Sequence, residues 1–561
     1  MALSRRCLLP VLLVVTLTVV FALHGAAAGS EDDVLVKTPL GVARGLVGPG
    51  FFSFRGLPYA EPPVGNLRWQ APVPKASWGP NVLDASAFGH CCMQPGHWSD
   101  ISEDCLTLNV FTPQNATCGG TGAQLLPVIL FIHGGAFVNG CSRERVFTSD
   151  FVVNSTNTIL VTTNYRLGAL GTFANDISQG NFGLLDQITA MEWVKANIAY
   201  FGGDPNRVTI SGESAGAMSV GMHLASPVSI QRNLFQAAIL ESDPFSFQSP
   251  SLNEAKEYAT FLGAYLACPE NDMACLLSKP AEEVIAAQSK VLVVPWPPKL
   301  AINALPWMPF VDGTVIADQA LSRYAAGKFH RVPVLVGTNQ NETLTFAMDI
   351  TSPLHNQARI SSLSRAAPDG SAIYDWEYES LMYVLFGEHA LEVLKLYPPT
   401  YTGQDFYTLV RMTTDFLFVC STRNAALSLS SYGVPVFTYH FLRSAPPHTD
   451  PANPPYCSVN NSVCHASELV YVFHSASFFA DEGYAFSPAD SQLSWEMLRH
   501  WTTFAHTQPG RNNNATVPSA LWAPFSSSNL ASMAFNVPQS SLTQGFNKLN
   551  CDYWDSIGYH F

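Results

Sequence analysis

Two kinds of hydrophobic run recur along the chain. Pro127 to Ile132 and Thr158 to Asn164 are nearly continuous apolar or β-branched stretches, the pattern of strands buried on both faces of a largely parallel sheet. Between Asn181 and Gly203, Leu184, Leu185, Ile188, Met191, Val194 and Ile198 fall at helical spacing, closed by Gly202 and Gly203, which predicts a helix ending at a glycine stop. Asp204-Pro205-Asn206 then turns the chain into a further β-rich run, so the unit reads as a βαβ crossover. Shorter runs predict strands at Ala237 to Leu240 and Val334 to Val336, and an amphipathic helix at Glu254 to Leu266. Near the amino end, Val34 to Leu46 and Phe51 to Arg55 read as extended segments about a Gly48-Pro49-Gly50 turn. Gly56 to Pro74, rich in proline and aromatics, reads as an ordered loop. Pro295 to Pro309 suits either a loop lining a cavity or one packed on the core.

The crossover leads into Val208-Thr209-Ile210-Ser211-Gly212-Glu213-Ser214-Ala215-Gly216, followed by Met218, Val220, Met222 and Leu224. This is strand, sharp turn and helix, with a serine on the turn and glycine on either side to let neighbouring backbone approach. A bare G-x-S-x-G match arises by chance in roughly one chain in five of this length, so the flanking strand and helix patterns carry the inference. A serine so placed sits at the carboxyl end of a sheet, where a nucleophile belongs in an open α/β fold. Upstream, His133-Gly134-Gly135-Ala136-Phe137 follows a strand. Alone it is an ordinary glycine turn, but one strand and one helix before a serine elbow its amides suit an oxyanion hole.

Composition limits the setting. Hydrophobic content of 47% with 13% charged residues describes a compact globular chain, and no repeat, charge block or low-complexity linker divides it. Arg5 and Arg6, the apolar run Leu8 to Leu23 and the small-residue site Ala26-Ala27-Ala28 read as a signal peptide spanning residues 1–28. An uncleaved anchor is the alternative, which the short run and the A-x-A site disfavour. A secreted or vesicular product with no stable membrane anchor is therefore expected. The remaining chain has 27 basic and 43 acidic residues, which makes nucleic acid an unlikely partner. Eleven cysteines remain, an odd number; in an oxidising compartment most should pair. Cys268 with Cys275, and Cys457 with Cys464, could each close a short loop. No matching C-x-x-C pairs suggest a metal site. N-x-S/T sequons begin at Asn115, Asn154, Asn341, Asn460 and Asn514.

Long, specific wording supplies the next step. Arg55-Gly-Leu-Pro-Tyr-Ala-Glu-Pro-Pro-Val-Gly-Asn-Leu-Arg-Trp69, Ser102-Glu103-Asp104-Cys105-Leu106, Gly183-Leu-Leu-Asp-Gln187 and Phe201-Gly-Gly-Asp-Pro-Asn-Arg-Val-Thr-Ile-Ser-Gly-Glu-Ser-Ala-Gly216 together resemble the type B carboxylesterase family, which includes the cholinesterases. The resemblance implies an α/β-hydrolase fold for residues 29–561: one domain with a mostly parallel central sheet, helices on both faces, and loop and helix excursions over the active site. It also implies a serine carboxylic ester hydrolase working through an acyl-enzyme on a small-molecule or lipid ester, with no cofactor or metal. Cholinesterase-like or lipase-like specialisation, or a non-catalytic adhesion or binding relative, are the alternatives.

Ser214 as nucleophile needs a base and an acid, in the chain order serine, acid, histidine. Val334-Leu335-Val336 runs into Gly337-Thr-Asn-Gln-Asn-Glu342, similar to the family's acid-bearing loop, which implies Glu342 as the acid. By pattern alone it would be a surface carboxylate. Nine histidines follow it, and only His465 opens a box, His-Ala-Ser-Glu-Leu, similar to the family's H-x-x-E-L; this implies His465 as the base. Gly134, Gly135 and Ala215 would supply oxyanion-hole amides. Glu213 matches an acidic neighbour common in the family, its alternative being an exposed turn residue.

Where the family often has Asp before the acid, this chain has Asn341, which creates a sequon around Glu342. A glycan there would have to coexist with a buried carboxylate, so Asn341 is expected to be unmodified. Family disulfides would fall to Cys91 or Cys92 with Cys105, Cys268 with Cys275 and Cys420 with Cys551, with Cys118 and Cys141 as an extra bridge. Arg68 and Glu103 would form a structural ion pair. Trp98 lies between Cys92 and Cys105, but this loop is short and its wording does not match a cholinesterase cation site. It reads as a packing residue, and acetylcholine is not the expected substrate.

Overall fold

The computed structural model describes residues 33–96, 99–116, 125–148, 150–269, 271–291, 305–346, 373–400, 405–444, 457, 462–506 and 522–559. The leader, Trp98, Cys118, Asn460, Asn514 and most of the Pro295 to Pro309 stretch lie outside them. Twelve strands form a continuous path through the central sheet: β1 Asp33–Thr38, β2 Gly41–Gly48, β3 Phe51–Pro58, β4 Thr107–Pro113, β5 Leu126–Ile132, β6 Ile159–Thr163, β7 Gly203–Glu213, β8 Ala237–Glu241, β9 Val334–Asn339, β10 Val436–Phe441, β11 Ala531–Phe535 and β12 Ser541–Gln544. Their order in space is β1-β2-β3-β4-β6-β5-β7-β8-β9-β10-β11-β12, and Leu83–Asp84 adds a short thirteenth strand beside β2.

From β6 to β11 neighbouring strands run parallel, while the strands at both edges are antiparallel. The parallel strands are the continuous apolar runs, and β6, β8, β9 and β10 are buried at every position. That burial follows from helices on both faces. The helices include α1 Phe182–Asn197, α2 Ala215–Ala225, α3 Asp405–Thr414, α4 Cys420–Ser431, α5 Pro488–His506 and α6 Lys548–Ile557, of which α3 and α6 pack in a separate cluster that contains no strand residue. Two of the apolar cores lie against the faces of the sheet. One packs α1 and α2 through Leu184, Ile188, Met191, Val220 and Leu224; the other packs α5 through Leu493, Met497, Trp501 and Phe504.

Several expectations are met, and some are corrected. Pro39-Leu40 breaks the expected Val34 to Leu46 segment into β1 and β2. The expected amphipathic helix runs Leu252–Tyr265 and opens with a Ser251/Glu254 capping box. Cys92 pairs with Cys105, Cys268 with Cys275, Cys420 with Cys551 and Cys457 with Cys464. Cys141 bonds Cys91, not Cys118; Cys91 and Cys92 each take a partner, so the bridge expected between Cys118 and Cys141 is overturned. The Arg68–Glu103 pair forms at 2.7 and 2.6 Å, and Arg68 also donates to the Lys279 carbonyl. No helix among the described residues is long and apolar enough to cross a membrane.

A second buried ion pair fastens α1 to the loop after β6. Arg166 donates from Nε and one terminal nitrogen to the two oxygens of Asp186 at 2.8 and 2.7 Å, and its backbone amide donates to the same carboxylate. Both residues are buried. Breaking such a pair strands a charge in the interior. Arg166→Met is expected to lower the unfolding free energy by about 3–5 kcal/mol, read as a lower denaturant midpoint in urea titration.

Candidate active site

The site is built on the turn from β7 into α2. Ser214 has φ 56° and ψ −123°, a region that non-glycine residues avoid unless surrounding structure imposes it. The imposing contacts are its amide, which donates to the Glu241 carbonyl of β8 at 2.9 Å, and its carbonyl, which accepts from the Met218 amide at 2.8 Å. The flanking glycines are required by close approach. A Cβ on Gly216 would lie 2.0 Å from the Ile132 carbonyl oxygen, and one on Gly212 would lie 2.4 Å from the backbone of Gly216.

Gly134 and Gly135 leave the end of β5 beside this turn. A Cβ on Gly134 would stand 3.1 Å from Cβ of Ser214, so the two residues face each other. Gly135 has φ +103°, and Ala136 and Phe137 also lie at positive φ. The Val138 and Asn139 amides close the turn on the Gly135 carbonyl. Among the described residues, the amides of Gly134, Gly135 and Ala215 donate to no protein partner. Ala215 opens α2, where first-turn amides lack helical acceptors and the dipole is positive. The three donors make a place for a developing negative charge.

Glu342 and His465, far apart in the chain, meet here. Fully buried Glu342 accepts from the Asn339 amide at 2.6 Å and, with its other oxygen, from Nδ1 of His465 at 2.7 Å. On the other edge of the ring, Nε2 lies 3.1 Å from Oε1 of Glu213. The rings of Phe346 and Phe418 stand edge-on to the imidazole at 5.2 and 5.4 Å. No hydrogen bond joins the Ser214 hydroxyl to His465 among the described residues; the imidazole sits against the residue that precedes the serine. Catalytic hydrogen bonds of this kind often tighten only with substrate bound.

Glu213 is buried, 5% exposed, so the reading of it as an exposed turn residue does not hold. Around it lie acids that sequence reasoning did not single out. Glu468, three residues after His465 in the same box, accepts from Ser242 at 3.4 Å and from Asn339. Glu241 accepts from Ser211 at 3.3 Å, and Glu144 accepts from the Cys141 amide at 2.9 Å. The fourth residue of the His-Ala-Ser-Glu-Leu box was the available signal for Glu468; Glu144 and Glu241 had none.

Burial pushes the Glu213 carboxyl above its ordinary range, His465 opposes that, and the Glu342 and Glu144 charges reinforce it. Burial likewise raises Glu468, with Glu213 and Glu342 adding to it. For His465, burial alone would lower the pKa, but the Glu213 charge and the Glu342 hydrogen bond outweigh it and push it up to about 9. Protonated imidazole therefore adds stability in full below about pH 6.5, and this is lost as pH rises through about 9. By contrast His133, buried against Tyr165 with ring centroids 4.5 Å apart, is driven down to about 4 by desolvation and stays neutral.

A serine on a strained strand-to-helix turn, amides aimed beside it, and an acid holding a histidine in the order Ser214, Glu342, His465 define the hydrolase class of the α/β fold. Comparison sharpens this: a model of the carboxylesterase family matches residues 32–554, and the chain belongs to that family. It is 33% identical over 505 residues to the para-nitrobenzyl esterase of Bacillus subtilis (strain 168), covering 88% of this chain and 92% of that one. It is 31% identical over 557 residues to the cAMP-regulated D2 protein of Dictyostelium discoideum, covering 98% and 97%. A solved PNB esterase superposes with a TM-score of 0.73 at 30% identity, over 92% of this chain and 99% of that one.

If neutral imidazole is the working form, activity rises with pH toward about 9. Glu213→Gln removes the charge facing Nε2, so the acid limb of the kcat/KM profile should move down by about 1–3 pH units. A limb that stayed in place would deny Glu213 this influence.

Proposed function

We propose that the protein is a secreted carboxylic ester hydrolase working through an acyl-enzyme. Ser214 Oγ attacks the ester carbonyl while Nε2 of His465 takes its proton, and Glu342 holds the imidazole by Nδ1 and stabilises its cation. The amides of Gly134, Gly135 and Ala215 receive the oxyanion, a task in which one donor is worth about 10²–10³ in kcat in comparable sites. Collapse of the tetrahedral intermediate breaks the ester C–O bond, and His465 returns the proton to the leaving alkoxide. Water, deprotonated by the same imidazole, then attacks the acyl-enzyme and frees the acid.

The observation that carries this reading is the 2.7 Å Glu342–His465 bond beside a serine held in a strained turn. Similarity to the para-nitrobenzyl esterase of Bacillus subtilis supports the ester as substrate class, and the five disulfides among the described residues suit an oxidising compartment. No step requires a metal or organic cofactor.

Ser214→Ala is expected to cut ester hydrolysis by about a thousandfold or more while leaving the fold intact, measured on a panel of esters differing in acyl length and alcohol charge. An organophosphonate should label the wild-type protein stoichiometrically at Ser214. Wild-type turnover by the alanine variant would overturn this mechanism, and absent labelling would support a non-catalytic binding protein.

A further inference from the structure

The Asn341-Glu342-Thr343 sequon sets a glycan acceptor against a buried acid, and the structure removes the conflict between them. Glu342 is fully buried, whereas Asn341 is partly exposed. Its backbone amide donates to the Val463 carbonyl at 2.8 Å, and its Oδ1 accepts from the Val463 amide at 3.0 Å. The planar amide group then has its nitrogen on the side opposite Val463, where Nδ2 donates to no partner among the described residues. N-linkage consumes only that nitrogen's valence and leaves Oδ1 as an acceptor, so the loop-holding bond survives modification.

Asn341 lines a cleft of about 640 Å³, within the usual range for small-molecule sites. Its walls combine half-buried Tyr407 and Phe546 with exposed Gln340 and Arg411 and the amide of Asn547. Asn339, buried on the same lining, has an Oδ1 without a hydrogen-bond partner. Aromatic faces with amides and a guanidinium around them suit a ring that is apolar on its faces and hydroxylated at its edge. None of the residues assigned to the ester chemistry lines this cleft.

We propose that Asn341 carries an N-linked glycan whose first sugars lie in this cleft, a reading that rests on the secretory compartment proposed above. In the transfer, Nδ2 bonds to C1 of an oligosaccharide carried on a lipid pyrophosphate. The C1–O bond to the pyrophosphate breaks, and the amide gives up one proton with the departing pyrophosphate. The Thr343 hydroxyl that a sequon requires is buried in the folded protein and donates to the Val410 carbonyl at 2.9 Å. Transfer therefore precedes docking of the acid loop, and the glycan is enclosed as the loop folds.

The test uses the full chain secreted from cultured eukaryotic cells and glycopeptide mass spectrometry. Asn341 should be mostly occupied, and a peptide N-glycosidase should release its glycan at least about tenfold more slowly from native than from heat-denatured protein. Exposed Asn154 serves as the comparison site. Tyr407→Ala, and independently Phe546→Ala, should abolish that protection while leaving occupancy unchanged. An empty Asn341 beside an occupied Asn154, or equal release from native and denatured protein, would overturn the proposal. A product with no sequon occupied would overturn the secretory reading and this proposal together.

Discussion

Among the described glycines, the tightest approach is that of α2 to the end of β5. With the Ile132 carbonyl oxygen 2.0 Å from where a Cβ would stand on Gly216, only hydrogen fits, and the helix can begin directly over the strand. From that contact the rest of the site is set out. Gly134 leaves β5 within reach of Ser214, the first amides of α2 open toward the same space, and the serine is forced to positive φ to make the turn. Strain at Ser214 is thus the local cost of packing strand and helix with no side chain between them.

The second organising feature is charge. One imidazole lies between two carboxylates, Glu342 on Nδ1 and Glu213 on Nε2, with Glu468 and Glu144 close behind. Removing these acids from water favours their neutral forms, and the cation of His465 offsets that cost. Proton positions in the cluster are therefore shared among its members. Glu342 is fixed from both sides, by the Asn339 amide and by His465.

Much of this was legible in the sequence, for different reasons in different places. The buried parallel strands are continuous apolar runs, and β5, β6 and β8 fall where those runs predict. The G-x-S-x-G turn was legible because its glycines answer a steric need that leaves no alternative residue. Glu342 and His465 were not legible from pattern, since each is one of many acids and histidines; family wording singled them out. Pro39-Leu40 went unread because the residues on both sides of it are equally extended. Glu144 and Glu241 became significant only when folding removed water around them, which no local pattern records. The expectation that Asn341 is bare rested on its neighbour Glu342 being buried, and burial of the one residue does not fix the exposure of the other.

Cys91 and Cys92 form a two-residue strand beside Ile101–Ser102. Successive side chains of a strand point to opposite faces, so neighbours in sequence reach different partners, Cys141 on one side and Cys105 on the other. Spacing along the chain does not distinguish these pairings, and neither sulfur is chemically special. The pleat of the backbone acts as the sorting device, and a one-residue slip of this strand would exchange the two bonds. The Cys91 bond reaches just past the turn that carries Gly134 and Gly135, so the parity of a single short strand decides which cysteine tethers that loop.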